Sequence, residues 1–455
     1  MIDVAANEPA VSPPDLETCL RVLRTLSDNL GTGDDLEAVA LEVAKLYKAN
    51  RKRRRKVAER DARRRDREIV ERTGRCAPES SAGGAVPLPA VEATLLRRLS
   101  KPRACYVCRR DYQFVHPHYH ALCPTCAALN FDRRHRRGDL SGRRALVTGG
   151  RIKIGYALAL KLLRDGANVL VTTRFPRDAA ARYCAEPDFE SWRRRLTVYG
   201  LDLRSLPAVV AFTEQVCTSL GSLEILVNNA AQTVRGPEEA YAALRRAEAG
   251  PSGALPPAGR SLLSEATVNL LAPGLPARAA CIPTSTDDLL PPDLRDSNSW
   301  VLPIEEVGPG EMAEVFLVNA MAPFVLCGRL DPLLRRSPFP DRYVVNVSAV
   351  EGQFARQNKT PMHPHTNMAK AALNMLTRTV AGRCAGHGIY VNSVDTGWVT
   401  DENPHPKRTR LRAKGFVPPL DEVDGAARIY DPILCGLAGE PVYGQFLKDY
   451  APTAW

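Results

Sequence analysis

The stretch 144–155 constrains the fold most, because it combines a strand, a glycine turn and the start of a helix. Residues 145–147 are apolar, a Thr-Gly-Gly turn follows, and apolar residues return at helical spacing over 154–163. Glycine lets the backbone approach a phosphate, and the unpaired N–H groups of a helix N-terminus favour negative charge. The stretch therefore predicts a pyrophosphate site, with an ordinary structural turn as the alternative.

Strands and helices alternate along the rest of the chain from residue 140 onward. Further strands are predicted at 168–173, 196–200, 224–227, 343–347, 389–394 and 443–447, and helices at 205–220, 313–330, 367–385 and 421–433. Near 232–309 the alternation stops, and Pro, Gly, Ala and Ser surround weak helical pieces at 237–249 and 260–271. The pattern predicts an α/β fold, a Rossmann-like doubly wound parallel sheet with a long insertion.

Six landmarks follow the order found in the short-chain dehydrogenase/reductase family. They are the turn from Thr148 to Gly155, Leu201-Asp202-Leu203, Asn228-Asn-Ala-Ala231, Asn319-Ala-Met-Ala-Pro323, Ser348, and the helix that begins with Lys370-Ala-Ala-Leu-Asn. Most of the region 140–455 resembles this family. The resemblance implies a Rossmann-like domain that binds a nicotinamide dinucleotide and transfers hydride.

The resemblance also implies site residues at the matching positions. Asn319, Ser348 and Lys370 match the catalytic asparagine, serine and lysine of the family. The predicted cofactor-binding residues are Thr148, Gly149, Arg151, Lys153, Ile154, Gly155, Arg174, Asp202, Leu203, Asn228, Ala230, Lys370 and Thr396. Among these, Asp202 matches the acidic residue that contacts the adenine amine.

The chain departs from the family at Thr366, which occupies the position of the catalytic tyrosine four residues before Lys370. An aliphatic hydroxyl is too weak an acid to replace a phenol unaided. His363 or His365 is one candidate donor, because imidazole titrates near neutrality; ordinary loop histidines are the alternative. A water-relayed proton and NADP(H) binding without reduction are the other two hypotheses. Thr366 and His365 are therefore included among the predicted catalytic residues.

Two smaller departures flank the predicted site. Lys153 stands where the family has the middle glycine of its turn, and Thr396 stands where it has a proline after the sixth strand. Asp395 precedes Thr396 and adds a carboxylate near the substrate end of the cofactor. It is interpreted as a base, a substrate anchor or a hydrogen-bonded loop residue.

The end of the second strand predicts which cofactor binds. NAD enzymes of this fold place a carboxylate there for the ribose 2′-hydroxyl, whereas this chain has Thr173 followed by Arg174. An arginine fork suits a 2′-phosphate, and Arg151 and Lys153 add positive charge. The sequence therefore predicts NADP(H), with ordinary surface cations as the alternative.

Two C-x-x-C pairs predict a metal site. Cys105 and Cys108 form the first pair, Cys123 and Cys126 form the second, and fourteen residues separate the pairs. Such knuckles aim two thiolates at one point, so the pairs predict a tetrahedral structural zinc site without an open position; buried free thiols are the alternative. Three intervening histidines, at 116, 118 and 120, are further possible ligands.

The predicted organisation has four parts: a helical region with a basic arm at 1–76, a linker at 77–100, a four-cysteine zinc module at 101–139 and the Rossmann-like domain at 140–455. Two helices are expected within 15–47, broken near 31–33. Residues 51–75 hold thirteen Lys or Arg against five Asp or Glu. A solvated helical arm is favoured there over a nucleic-acid patch, because no aromatic residues interleave the basic ones.

The chain has no apolar run long enough to span a membrane, and its N-terminus lacks the features of a secretory signal. The twelve cysteines include only two pairs, which is typical of a metal site in a reducing compartment. A cytoplasmic protein is therefore expected. An NADP(H)-dependent oxidoreductase acting on a small molecule is favoured over a nucleotide-binding scaffold for a protein partner, and nucleic-acid binding ranks lowest. Assembly into a homo-oligomer is left open.

Overall fold

The computed structural model describes residues 11–28, 34–77, 97–249, 257–263 and 292–455. The chain divides into two compact units, Met1–Ile69 and Val70–Trp455. Most of the predicted linker at 77–100, the predicted helix break at 31–33 and residues 264–271 of a predicted helix lie outside the described residues. The predicted boundaries at 101 and 140 both fall inside the second compact unit.

The first unit contains the two predicted helices. Helix α1 spans Pro13–Asp28, and helix α2 spans Asp34–Glu71 and so continues into the second unit. No residue of α1 is buried, and the side chains of the basic run 51–56 are exposed. The helical state of the basic arm is thus confirmed.

The second unit begins with the segment that carries the cysteine pairs. Strands β1 (Arg97–Ala104) and β2 (Asp111–Val115) form an antiparallel hairpin, and helix α3 (Pro124–His135) follows. The first cysteine pair lies in the hairpin turn, and Cys123 caps the N-terminus of α3. This hairpin was not predicted, because β1 is mostly polar and contains a proline, and β2 is only five residues long.

An eight-stranded sheet forms the centre of the second unit. Its strands are β3 (Arg144–Thr148), β4 (Asn168–Thr173), β5 (Leu196–Gly200), β6 (Ile225–Asn228), β7 (Arg342–Ser348), β8 (Ile389–Asp395), β9 (Phe446–Lys448) and β10 (Ala451–Thr453). They lie in the order β10-β9-β8-β7-β6-β3-β4-β5, and all pairs are parallel except β9–β10. The predicted doubly wound sheet is confirmed.

Helices cover both faces of this sheet. They are α4 (Lys153–Arg164), α5 (Pro176–Cys184), α6 (Phe189–Trp192), α7 (Leu206–Ser219), α8 (Ala242–Ala249), α9 (Pro257–Ser261), α10 (Pro309–Phe316), α11 (Ala322–Arg335), α12 (Pro364–Ala385), α13 (His405–Ala413) and α14 (Glu422–Leu437). Successive residues of β3 alternate between the faces: Val147 packs in the core beneath α4 and α14, and Leu146 in the core beneath α7 and α11. A strand buried on both faces is continuously apolar, which explains why the parallel strands were recognisable.

The predicted helix at 313–330 consists of α10 and α11 joined by a π-helical turn, Leu317–Met321. Together they form a helical stretch, Pro309–Arg335, that is long and apolar enough to span a membrane by length and composition. Its residues Val318, Leu326 and Leu330 are buried in the core beneath the sheet. The stretch is therefore packed as a core helix.

The strand order reverses between β3 and β6. From β3 the chain moves outward through β4 and β5, and it then returns to β6 and continues through β7, β8 and β9. Loops that leave neighbouring strands in opposite directions open a crevice at the carboxyl ends of those strands. The topology therefore places the ligand site beside the glycine turn after β3.

Candidate active site

A cavity of about 890 Å³ lies at the carboxyl ends of the parallel strands. The predicted site residues that line it are Gly149, Arg151, Lys153, Ile154, Gly155, Arg174, Asp202, Leu203, Ala230, Ser348, Thr366, Lys370 and Thr396. Four predicted site residues do not line it: Thr148, Asn228, Asn319 and His365. The tertiary structure thus brings most of the predicted residues to one cavity.

The glycine turn provides a backbone surface without side chains. The Gly149 N–H donates to the Thr172 carbonyl at 2.8 Å, which fixes the turn against β4. A Cβ atom added at Gly155 would lie 2.3 Å from the Gly149 carbonyl oxygen, so only glycine fits there. Lys153 has a φ of 55°, a left-handed conformation that glycine adopts without strain. The lysine keeps the backbone shape of the family's glycine at a conformational cost.

Two residues behind the turn hold it to the end of β6. The Thr148 hydroxyl accepts from the N–H groups of Asn229 and Ala230, each at 3.0 Å, and the Asn229 amide donates back to the Thr148 carbonyl at 2.9 Å. Asn228 instead donates to the side chain of Asn346 at 2.7 Å in the buried interior. Asn229 lines the cavity although it was not among the predicted site residues, and its neighbour Asn228, which was, does not.

The two arginines predicted near the cofactor ribose differ in their partners. Arg151 is buried and forms an ion pair with Asp178 at 2.7 Å, and burial lowers its pKa. Arg174 stacks against Tyr241, with its guanidinium carbon 5.2 Å from the ring centroid. The described part of the chain gives Arg174 no acidic partner within ion-pair distance. Arg174 is thus the cation at the end of β4 that remains available to an anion, and Tyr241 was not predicted.

Asp202 is held by a neighbouring arginine. The Arg204 guanidinium donates to both Asp202 carboxylate oxygens, the shortest contact being 2.6 Å. Burial alone would raise the pKa of Asp202, but the hydrogen bonds from Arg204 outweigh it and the pKa is lowered. Asp202 therefore stays an acceptor in a fixed orientation in the cavity wall.

Ser348 and Lys370 lie at the opposite end of the cavity. The Ser348 hydroxyl is buried at the end of β7, and within the described chain it has no hydrogen-bond partner. The Lys370 ammonium donates to the Val347 carbonyl at 2.8 Å, and burial lowers its pKa to about 8. An unpartnered buried hydroxyl is costly unless a ligand satisfies it. These two side chains therefore form a polar pair suited to an oxygen-bearing ligand.

Thr366 takes the position of the family's tyrosine, and its side chain and that of His365 contact a backbone carbonyl group. The Thr366 hydroxyl donates to the Thr233 carbonyl at 3.3 Å, and His365 contacts the same oxygen through Nε2 at 3.3 Å. His363 stacks on Trp300 with ring centroids 4.0 Å apart, and burial lowers the pKa of both histidines. Neither imidazole lines the cavity. The structure thus places both candidate proton donors outside it.

Asn319 lies on the π-helical turn and clamps the chain beyond β6. Its side-chain oxygen accepts from the Gln232 N–H at 2.7 Å, and its side-chain amide donates to the Gln232 carbonyl at 2.8 Å. Single π-helical turns widen a helix locally and occur often at functional sites. The clamp fixes the segment that leads from the Asn-Asn-Ala-Ala motif into the insertion.

Asp395 stabilises the loop that follows β8. One carboxylate oxygen accepts from the Val350 N–H and the other from the Gly397 N–H, both at 2.7 Å. Burial raises its pKa, as expected for a carboxylate removed from water. Of the three interpretations of Asp395, these contacts match a hydrogen-bonded loop residue.

The four predicted metal ligands form one cluster. The sulfur atoms of Cys105, Cys108, Cys123 and Cys126 all lie within 4.8 Å of one another, and those of Cys108 and Cys123 are 3.7 Å apart. Arg110 lowers the pKa of Cys108, whereas burial raises those of Cys123 and Cys126. One thiolate therefore forms readily, and further ones are disfavoured without a central cation.

The cysteine segment is joined to the Rossmann-like domain by partly buried ion pairs. Arg134 contacts the carboxylates of Asp421 and Asp424 at 2.5 and 3.0 Å, and the Tyr119 hydroxyl donates to Asp424 at 2.5 Å. Asp421 caps α14, and His118 lies beside the two carboxylates. Because Arg134 and the cap already satisfy both carboxylates, we interpret this cluster as an interface between α3 and α14.

The sequence of this chain matches two protein-family models and several known proteins. A family model described as short chain dehydrogenase matches residues 143–245, and one described as Enoyl-(Acyl carrier protein) reductase matches residues 299–410. An uncharacterized protein of Acanthamoeba polyphaga mimivirus is 34% identical over 354 residues, which cover 73% of this chain and 71% of that protein. A Tropinone reductase homolog of Datura stramonium is 38% identical over 109 residues, 23% of this chain and 38% of that protein. This chain thus spans well under half of the latter relative.

Several solved structures also resemble part of this chain. A short chain dehydrogenase from Burkholderia cenocepacia in complex with NADP is 20% identical with a TM-score of 0.45, over 68% of this chain and 97% of that one. An NADPH bound carbonyl reductase from chicken fatty liver is 19% identical with a TM-score of 0.43, over 71% of this chain and 98% of that one. From the family models and the ordered landmarks around the cavity, the chain belongs to the short-chain dehydrogenase/reductase family of oxidoreductases.

Proposed function

We propose that this protein is an NADP(H)-dependent oxidoreductase that reduces a carbonyl group, or oxidises the corresponding alcohol, with a proton donor other than tyrosine. The observation that carries the proposal is the cavity itself. The glycine turn and Arg174 lie towards one end, and the unpartnered Ser348 hydroxyl lies beside Lys370 at the other. This arrangement suits a dinucleotide whose reactive ring reaches a polar pair.

The residues at the first end fit a phosphorylated dinucleotide. A Cβ atom at Gly149 would lie 3.0 Å from Ala230 Cα, and one at Gly155 would overlap the turn, so both positions need glycine for the tight backbone packing that a phosphate-binding turn requires. Arg174, held by stacking on Tyr241, offers a fork to a 2′-phosphate. No carboxylate stands at the end of β4 to select a free 2′-hydroxyl.

The residues at the other end of the cavity fit the reduction of a carbonyl group. Bound NADPH supplies the hydride, and the chain must orient the carbonyl oxygen and provide a proton. The Ser348 hydroxyl is positioned to donate to that oxygen. Lys370, whose pKa burial lowers to about 8, lines the cavity as an ammonium group, and we propose it as the proton source, directly or through water.

The cofactor assignment predicts a loss of affinity in Arg174→Ala. One charge-assisted contact is worth about tenfold to a hundredfold, so NADPH affinity should fall by that factor while NADH affinity stays unchanged. Isothermal titration calorimetry with both cofactors measures this difference. Arg194→Ala, at an exposed position away from the cavity, is the matched control. Equal wild-type affinities for NADPH and NADH would contradict the assignment.

A catalytically inactive NADP(H)-binding scaffold is the second candidate. The observation that favours it is Thr366, whose hydroxyl donates to the Thr233 carbonyl where the family has its acidic phenol. A scaffold would use the cysteine segment and the insertion to hold a partner. Wild-type protein that binds NADPH but oxidises it with no member of a broad panel of aldehydes and ketones would support this candidate.

We also propose that the four cysteines hold one structural zinc ion. A tetrahedral site with Zn–S bonds of about 2.3 Å places its sulfur atoms about 3.8 Å apart. The 3.7 Å between Cys108 and Cys123 agrees with this spacing, and the Cys123 N–H donates to the Cys105 sulfur at 3.2 Å. Such contacts to a ligand sulfur are typical of the supporting shell of a metal site.

The zinc proposal predicts one zinc per chain in protein purified without chelator, measured by elemental analysis. Cys105→Ser should lose most of the metal, because three thiolates cannot complete the closed four-sulfur site. Cys184→Ser removes a partly buried cysteine of α5, outside the cluster, and should keep the metal. Metal-free wild-type protein, or equal zinc in both variants, would contradict the proposal.

A further inference from the structure

Tyr106 belongs to the cysteine cluster and to the cavity at once. It lies between the ligands of the first pair, and its N–H donates to the Ala121 carbonyl at 2.9 Å, which joins the two halves of the cluster. Its half-buried ring nevertheless lines the cavity that contains Ser348 and Lys370. No sequence signal links this tyrosine to the landmarks of the family.

The phenol oxygen of Tyr106 contacts the loop that follows β8. The Trp398 N–H donates to this oxygen at 2.8 Å. Gly397, whose φ is 78°, lies beside the phenol oxygen, because a Cβ atom added there would be 3.4 Å from this oxygen. Thr396, Gly397 and Trp398 all line the cavity. A group in the cysteine cluster thus holds the backbone of a cavity loop that is distant in the sequence.

A second residue of the knuckle faces the same cavity. Arg109 follows Cys108 directly and has a φ of 61°, a left-handed conformation that is uncommon for a side chain other than glycine, asparagine or aspartate. Its N–H donates to the Cys105 carbonyl at 3.0 Å, which closes the knuckle, and its guanidinium carbon lies 5.8 Å from the Tyr106 ring centroid. The tight turn around the thiols therefore directs both side chains to the cavity wall.

We propose that the metal site is a wall of the active site, and that Tyr106 is a positioning residue through which the metal fixes the loop 396–398. This inference rests on the proposed function, because it assigns the module to the reductase cavity. Its physical basis is the short connection: the ligands on either side of Tyr106 hold its backbone, and its phenol oxygen holds the Trp398 N–H. Loss of metal releases the knuckle and, with it, the loop.

Hydrogen exchange of the wild-type protein and its variants without cofactor tests the contact without requiring turnover. Tyr106→Phe removes only the acceptor oxygen, and a lost hydrogen bond of about 1 kcal/mol corresponds to about fivefold faster exchange. We expect this increase in peptides covering 396–400, measured by mass spectrometry. Peptides covering 144–155 should exchange as in the wild type, because the glycine turn is held by other contacts.

Tyr112→Phe is the matched control. Tyr112 is also a phenol of the module, but its hydroxyl donates to the His120 carbonyl at 2.7 Å within the module and does not line the cavity. Exchange over 396–400 should stay unchanged in this variant. An equal increase in both variants would mean general loosening of the module, and no increase in Tyr106→Phe would mean that the phenol does not hold the loop; either result overturns the proposal.

Removal of the metal provides the second arm of the experiment. Cys105→Ser should increase exchange over 396–400 at least as much as Tyr106→Phe, and unchanged exchange there would overturn the role of the metal. With a carbonyl compound that is turned over, Tyr106→Phe should raise its KM about fivefold and leave kcat nearly unchanged, as expected for lost positioning. If the wild-type protein failed to bind NADPH, the proposed function would be contradicted. The hydrogen-exchange test of the Tyr106 contact would still stand, because it is measured without cofactor.

Discussion

Lys370→Met is expected to lower kcat/KM for NADPH-dependent carbonyl reduction by about a hundredfold to ten-thousandfold, the usual contribution of a positioned proton donor. The Lys370 ammonium is buried at the end of the cavity that also holds the Ser348 hydroxyl, which has no hydrogen-bond partner among the described residues. Methionine fills a similar volume without a proton, so the fold should persist. Steady-state kinetics with the best carbonyl compound of the panel, together with thermal unfolding of the variant, measures both effects.

The pH profile provides an independent signature of this role. Burial lowers the pKa of Lys370 to about 8, and reduction requires the protonated ammonium. Reduction by the wild type should therefore be constant below about pH 8 and fall above it, whereas alcohol oxidation should rise through the same range. Arg378→Met, at an exposed position of the same helix, should leave both rate and profile unchanged. A wild-type limb near pH 8 that persists in Lys370→Met would exclude Lys370 as the donor.

Arg134→Met should destabilise the protein by about 3 kcal/mol, because it leaves two buried carboxylates without their shared cation. The side chain of Asp424 is fully buried and that of Asp421 is 13% exposed, and Arg134 contacts both. Protonation of Asp424 would relieve part of the penalty, which places the effect at the lower end of the range for a broken buried pair. Urea unfolding at neutral pH measures the difference.

Arg164→Met is the comparison for this ion-pair prediction. Arg164 contacts Asp188 at 2.7 Å, but both side chains are more than a third exposed, so the loss of this contact should cost less than about 1 kcal/mol.

The pKa of Asp421 predicts how the effect of Arg134→Met depends on pH. Burial alone would raise the pKa of Asp421, but Arg134 outweighs burial and the pKa is lowered. A lowered carboxyl pKa stabilises the fold above the ordinary Asp pKa, and this stabilisation is lost as pH falls through the lowered value. Arg134→Met should therefore show a smaller loss of stability on acidification.

The positions of the parallel strands along the chain were predictable because burial on two faces leaves a continuous apolar pattern. The sequence predicted strands at 168–173 and 196–200, and the structure has Asn168–Thr173 and Leu196–Gly200. The turn after β3 was predictable because backbone geometry alone excludes side chains at Gly149 and Gly155. The hairpin β1–β2 and strand β10 were not predicted, since none of these three strands has a continuous apolar run.

The partners of the charged and polar site residues were not predictable. Arg151 and Arg174 were both predicted to contribute positive charge at the cofactor site. Arg151 forms an ion pair with Asp178, whereas Arg174 stacks on an aromatic ring. His365 is close in sequence to Lys370, but the helix directs it to the Thr233 carbonyl and away from the cavity. These outcomes depend on groups from other segments, and local spacing contains no information about them.

The sequence by itself determined the family landmarks, the positions of the parallel strands along the chain and the four thiols, because each depends on residue type at short range along one element. Only the tertiary structure decided that Cys105 and Cys108 present Tyr106 to the cavity and that its phenol receives the Trp398 N–H. Arg134 and its partners likewise join α3 to α14, two helices that are far apart in the sequence. A docking of two surfaces depends on shape and charge assembled from distant segments, and these properties exist only once the chain has folded.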